Sequence, residues 1–236
     1  MIEIIHEDDT LIIAAKPAGV ATLAKKSGIA SLSEELVKMR PELVDIPDNG
    51  IAHRLDNDTS GIVCLGKTKE AYDNLRAQFA NNTTNKHYTA LVLGGAPEHE
   101  EIDAPIAHHP RKKTKMVVCE SNARADELKA RAAHTHYDVI GRYLFGDESY
   151  TLIDVVISAG VRHQIRAHLA WKGLPLAGDK LYQNPKKRAE DLLPLKRHFL
   201  HASKLEINHP LTNERMTFDC PLPNDLQEAL EKTKPV

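Results

Sequence analysis

The segment Gly61-Ile-Val-Cys-Leu-Gly66-Lys67-Thr68 constrains this chain more than any other stretch of its length. As a pattern it matches the phosphate-cradling loop G-x-x-x-x-G-K-[ST]. Such a loop needs a buried strand before its first glycine, compact residues between the glycines and a helix starting at Lys-Thr. Only then do free backbone N–H groups face a phosphate. Here the polar run Asn57-Asp58-Thr59-Ser60 precedes Gly61, and the residues between the glycines are apolar and partly β-branched. They read as a strand, whose N–H groups are committed to a sheet. A nucleotide hydrolase is therefore the weakest reading, and the segment instead requires a sheet able to bury it.

The rest of the chain supplies that sheet. Residues 2–19 read as strand, acidic turn, strand and Pro-Gly loop. Residues 31–40 read as a helix capped by Ser31 with Glu34 three positions on, its apolar face being Leu32, Leu36 and Val37, and Pro41 follows it. Tyr72, Leu75 and Phe79 recur at helical spacing in residues 69–82. Residues 86–95 are a strand with a glycine exit, and 96–133 an excursion of short strands and basic loops. Two further strands occupy 134–144 and 149–158. Residues 163–173 form a helix closed by Gly173, with Ile165, Leu169 and Trp171 expected inward. A hairpin over 204–221 and an amphipathic helix over 224–233 complete the chain. Strands outnumber helices and many are hairpin-linked, without regular βαβ alternation. The expectation is an α+β fold with a mixed, mostly antiparallel sheet and flanking helices, in one domain covering 1–236.

Composition narrows the function classes. No apolar run approaches the ~18 residues of a membrane span. The acidic start, Met1 to Thr10, lacks the basic and apolar regions of a signal peptide. Cys64, Cys119 and Cys220 are far apart and odd in number, which argues against disulfides and a cysteine zinc site and favours a reducing cytoplasm. Net charge is −2, from 31 basic and 33 acidic residues, which by itself argues mildly against a nucleic-acid partner. Basic residues nevertheless cluster at Arg111-Lys112-Lys113-Thr114-Lys115 and Lys186-Lys187-Arg188, so a local positive face is compatible with that balance. Asp56, Asp58, Ser60 and Gly61 open like a calcium loop, but Lys67 stands where its bidentate glutamate would be needed. His108-His109 and His134-x-His136 lie on unlike elements, and no metal is expected.

What remains is Asp56 in His53-Arg54-Leu55-Asp56-Asn57-Asp58-Thr59-Ser60-Gly61. Arg54 and Asp56, two apart in an extended segment, point the same way. Thr59 and Ser60 could brace the turn, and Gly61 gives it backbone freedom. An Asx-type turn and a catalytic carboxylate are both open on these residues alone.

The wider sequence resembles the RluA-type RNA pseudouridine synthases, whose signature runs His-Arg-Leu-Asp-x-x-Thr-Ser-Gly. Residues 7–20 resemble that family's opening strand pair with its Lys-Pro-x-Gly loop, and Lys86-x-Tyr88-x-Ala90 its Lys-x-Tyr-x-Ala strand. His163-Gln164-Ile165-Arg166 resembles its helix, followed by a Pro-x-x-Gly-Asp turn at 175–179; residues 200–214 resemble its terminal strand. Ala15 stands where the family often has Asn, and Val161-Arg162 replaces Arg-Thr. The resemblance implies the pseudouridine synthase fold as a stand-alone catalytic domain without an N-terminal S4-like RNA-binding domain, and a cytoplasmic monomer. It implies an isomerase acting on ribosomal or transfer RNA, with no cofactor and no metal. It further implies Asp56 as catalytic carboxylate, Arg166 as its cation and Tyr88 as the aromatic stacking on a flipped uridine. His53, Arg54, Thr59, Lys86, Arg162, His163, Gln164 and Ile165 are implied as substrate contacts. A non-catalytic RNA-binding protein of the same fold is the alternative.

Overall fold

The computed structural model describes residues 2–24 and 31–236. In chain order the strands are β1 (Glu3–Glu7), β2 (Leu11–Lys16), β3 (Ser60–Gly66), β4 (Asn85–Leu93), β5 (His99–Asp103), β6 (Ile106–His108), β7 (Met116–Val118), β8 (His134–Phe145), β9 (Glu148–Ile157), β10 (Leu200–Asn208), β11 (Arg215–Asp219) and β12 (Lys234–Pro235). The α-helices are α1 (Leu32–Met39), α2 (Lys69–Ala80), α3 (Asn122–Leu128), α4 (Gln164–Trp171), α5 (Pro185–Glu190) and α6 (Asn224–Glu231). They form two compact units. One comprises the chain up to His87 with His201–Leu222, the other Tyr88–Leu200 with Pro223–Val236.

In the first unit β3 is the central strand. It pairs antiparallel with β2, from Leu11↔Gly66 to Lys16↔Gly61, and parallel with β10 at His201↔Ser60 and Ala202↔Gly61. Every residue of β3 is buried. A strand with neighbours on both edges and both faces covered has to be apolar throughout, hence the unbroken Ile-Val-Cys-Leu run. Ile62 and Cys64 pack with Leu11, Ile13, Leu75, Leu205, Ile207 and Phe218 in one core. Lys67 and Thr68 are also structurally occupied. Lys67 Nζ lies 2.9 Å from the Glu7 carboxylate and 2.7 Å from the Asp8 carbonyl, while the Thr68 hydroxyl caps α2 by accepting from the Ala71 N–H at 3.1 Å. The phosphate-loop reading fails on these contacts. The Ser31–Glu34 capping box of α1 is present as expected.

In the second unit β4, β9 and β8 are successive neighbours, β8 and β9 forming a long antiparallel hairpin with a bulge between Val139 and Gly141. Strands β5 and β12 pair with β8, and β6–β7 is a separate hairpin. Helix α4 buries Ile165 and Leu169 as expected. Trp171 departs from expectation: it is 42% exposed, because at the helix end its indole N–H reaches out 2.8 Å to Glu120. Helix α3 lies in the stretch read as short strands and basic loops, and α5 in a stretch to which the sequence assigned no element. Neither buries a residue, so no apolar period marked them; each is begun by a side-chain cap, Ser121 or Asn184. The sheet is mixed and mostly antiparallel with helices around it, an α+β fold. Among the described residues no helix is long and apolar enough to cross a membrane.

Candidate active site

Asp56 sits half-buried in the irregular segment between Ile51 and β3, where the Thr59 N–H donates to its carbonyl at 3.1 Å and closes a turn. The segment is held from several sides. The Thr22 hydroxyl donates to the Leu55 carbonyl (3.0 Å) and accepts from the Leu55 N–H (3.1 Å). The Gly19 N–H donates to Asn57 O at 2.9 Å. Lys16, only 1% exposed, donates from Nζ to the carbonyls of Pro17 (2.9 Å), Val20 (2.7 Å) and Asn57 (2.9 Å). A buried ammonium is tolerable only when its donors are satisfied, and here three carbonyls tie the Lys-Pro-x-Gly loop to the residue after Asp56. At the far end Gly61 has φ +119°, and a Cβ there would lie 2.2 Å from the Ala202 carbonyl oxygen, so only glycine lets the turn enter β3 beside β10. Ser60 is buried and bonded to His201 Nδ1 at 2.9 Å.

The neighbouring expected contacts divide between outside and inside. Arg54 is exposed, whereas Thr59 is 2% exposed. The His53 ring packs on Phe79 with centroids 4.4 Å apart, and its Nε2 accepts from the Cys64 N–H at 3.2 Å, which fixes the proton on Nδ1. Burial, and behind it Lys86, pushes this imidazole down to about 3. Lys86 is itself buried over the Phe79 ring (5.6 Å), and burial lowers its ammonium to about 8. The His53 shift has a consequence for acid stability. An unfolded imidazole takes a proton near 6.5 and the folded one only near 3, so the unfolded chain binds more protons between these values. Stability should therefore fall as pH drops through that window. Denaturant melts at pH 7 and 5, above the main carboxylate range, should show a smaller loss for His53→Gln than for the parent; equal losses would contradict the assignment.

In the second unit Tyr88 is buried on β4. Arg162 is exposed, with Nη1 3.4 Å from the Lys113 carbonyl. His163 caps α4 in the left-handed region at φ 54°. Gln164 anchors the helix start: Oε1 accepts from Val161 N–H (3.1 Å) and Nε2 donates to the His134 carbonyl (2.8 Å). Ile165 is buried. Arg166 forms a bidentate pair with Asp179, Nε to Oδ2 at 2.7 Å and Nη2 to Oδ1 at 2.9 Å, with both residues buried. Burial alone would raise the Asp179 carboxyl, but the Arg166 bonds outweigh it and hold the group below the usual range. The Arg166 guanidinium also lies 5.2 Å from the centre of the Tyr182 ring. Neither Asp179 nor Tyr182 was singled out as a site residue, although Asp179 ends and Tyr182 follows the Pro-x-x-Gly-Asp turn, whose Gly178 has φ +74° and no room for a Cβ beside the Arg197 carbonyl. The cluster 111–115 caps the β6–β7 hairpin, with Arg111, Lys112 and Lys113 exposed and Lys115 half-buried. Lys186 and Lys187 on α5 instead pair with Glu190.

A family model described as RNA pseudouridylate synthase matches residues 10–171. A Nitrosomonas europaea protein named ribosomal large subunit pseudouridine synthase D is 36% identical over 234 residues, covering 98% of this chain and 64% of that protein. A Pseudomonas aeruginosa protein of the same name is 34% identical over 233 residues, covering 95% of this chain and 69% of that protein. Thus this chain spans under two thirds of the first relative's length. Among solved structures, human RNA pseudouridylate synthase domain containing 1 superposes with a TM-score of 0.78 at 22% identity over 100% of this chain and 89% of that one, a likeness of fold. With the match running from Thr10 to Trp171, across the Asp56 segment, β4 and α4, the chain belongs to the RNA pseudouridylate synthase family.

Proposed function

We propose that this protein isomerises uridine to pseudouridine in ribosomal RNA, with Asp56 as the catalytic carboxylate. The observation that carries the reading is the Asp56 turn, fixed by Lys16, Thr22 and Gly61 on either side of the aspartate. The relatives' name supplies the RNA class. In the reaction the N1–C1′ bond breaks, the base turns, and a C5–C1′ bond forms; the C5 proton is lost and N1 gains one. Atoms and electrons balance within the nucleotide, so the chemistry calls for neither cofactor nor metal. A carboxylate ionised near neutral pH suits it as nucleophile or base. The family resemblance assigns Arg166 as the cation for this chemistry and Tyr88 as the ring against which the base stacks.

A stacked uridine is out of reach, so it is flipped out, at a cost of a few kcal/mol that is least in loops. Exposed Arg54 is suited to fill the vacated space or to hold a phosphate. Mapping pseudouridine in large-subunit ribosomal RNA and in transfer RNA from cells lacking the protein tests the reading. Loss of a ribosomal site, restored by the wild-type gene and not by Asp56→Asn, is expected. Loss confined to transfer RNA would move the substrate, and an unchanged map would favour the non-catalytic RNA-binding alternative.

Arg111, Lys112, Lys113 and Lys115 give that RNA a positive face at the β6–β7 turn. Affinity should fall with salt by a slope of ~0.7 per phosphate contact for single strands, and replacing all four by Ala should flatten it. An unchanged slope would turn this hairpin away from the RNA.

A further inference from the structure

Arg166 rides near the start of α4 on a flexible stem, and a guanidinium that has to meet reacting groups at one place needs more than a helix to aim it. Asp179 takes Nε and Nη2 and so fixes the plane of the guanidinium. Asp179 is itself fixed, because Oδ1 also accepts from the N–H groups of Leu181 (3.0 Å) and Tyr182 (3.2 Å). Beside the pair lies the buried ring of Tyr182, which reaches several further groups. Its hydroxyl accepts from the Met116 N–H at 2.9 Å, so its own proton is available to His163 Nδ1 at 3.0 Å. His163 is the cap of α4, three residues before Arg166. The Lys115 ammonium lies 5.0 Å from the centre of the same ring. One tyrosine therefore touches the guanidinium, the start of its helix and the last lysine of the basic turn.

We infer that Asp179 and Tyr182 are positioning residues for Arg166, and that Tyr182 carries the ordering of the basic turn 109–115 to that guanidinium. The inference rests on Arg166 belonging to the site proposed above. In an RNA-bound enzyme, phosphates held by Arg111, Lys112 and Lys113 order the turn. Lys115 and Met116 then hold the ring, and the ring holds Arg166 at its working angle. Ordering the RNA-binding turn and assembling the site become one event.

The test uses the full chain, with Tyr182→Phe removing only the hydroxyl and Lys115→Met only the ammonium. At saturating RNA, Tyr182→Phe should lower the single-turnover rate of pseudouridine formation about tenfold, the scale of one well-placed hydrogen bond, with RNA affinity nearly unchanged. Lys115→Met should lower the rate alone, yet add little in the Tyr182→Phe background, because both act through one ring. A merely structural tyrosine would lower the melting temperature and leave the rate of folded enzyme alone, and that result, or two losses that multiply, overturns the inference. A second readout needs no activity. The Arg166 Nε–H resonance, assigned by its absence in Arg166→Lys, should shift in Tyr182→Phe and in Lys115→Met and exchange faster in Asp179→Asn. An unmoved resonance in all three overturns the inference even if pseudouridine forms. A wild-type protein inactive on every RNA overturns the proposed function instead, and the resonance still decides the wiring.

Discussion

Asp56→Asn should abolish pseudouridine formation while leaving the protein folded and able to bind RNA. The change keeps shape and removes charge, so a nucleophile or base is lost, and a rate deficit greater than about 10³-fold is expected. The backbone contacts of the turn, the Asp56 carbonyl with Thr59, Leu55 with Thr22 and Asn57 with Lys16 and Gly19, are untouched by the change. Pseudouridine formed on total RNA from a deletion strain, measured beside thermal melting and an RNA-binding titration, separates these effects. Wild-type turnover by freshly purified Asp56→Asn would reduce the carboxylate to a turn residue.

Arg166→Ala should act on stability as well as rate. The Asp179 side chain is 1% exposed and would keep its burial while losing the bidentate cation. Breaking a buried pair from one side costs roughly 3–5 kcal/mol, because the survivor is a desolvated charge. Its pH dependence follows from linkage. In the parent, Asp179 is held below its ordinary value, so its contribution is present above the unfolded carboxylate range and fades as pH falls. In Arg166→Ala, burial is no longer offset and the folded carboxyl titrates higher, so the variant binds its proton earlier than the unfolded chain does. The stability gap should therefore be widest near neutrality and narrow on acidification. Denaturant melts at pH 7.5 and 5 measure it; a variant as stable as the parent at both values would mean that Asp179 finds another cation. Arg166→Met combined with Asp179→Leu should recover much of the loss, since an apolar pair needs no partner charges.

The sequence expresses most of this fold where periodicity and capping are local. The capping box of α1, the apolar β3 and the β10–β11 hairpin are written within a few residues of where they act. Helix α3 was not legible because it buries nothing, and the outward turn of Trp171 depends on Glu120, 51 residues away. The site divides the same way. The turn around Asp56 was legible because its signals adjoin it, whereas a catalytic role for the carboxylate came from the family resemblance. Lys16 read as part of a Pro-Gly loop, since an ammonium satisfied by three carbonyls exists only once residue 57 is brought back 41 positions. Asp179 ended and Tyr182 followed a turn that the family resemblance already covered. Their tie to Arg166 lies 13 and 16 residues from it, beyond any local period.

The corner at Gly66-Lys67-Thr68 bears on how short strings are interpreted in translated genomes. A strand leaving a sheet through glycine, a lysine clamped to the neighbouring hairpin and a threonine starting the next helix together spell a nucleotide-binding word with no nucleotide involved. Each letter is chosen for a separate mechanical reason, so the word can arise repeatedly in unrelated sheets. The informative letters lie upstream: a buried strand before the first glycine opens a phosphate cradle, whereas a polar turn there marks the strand as still to come.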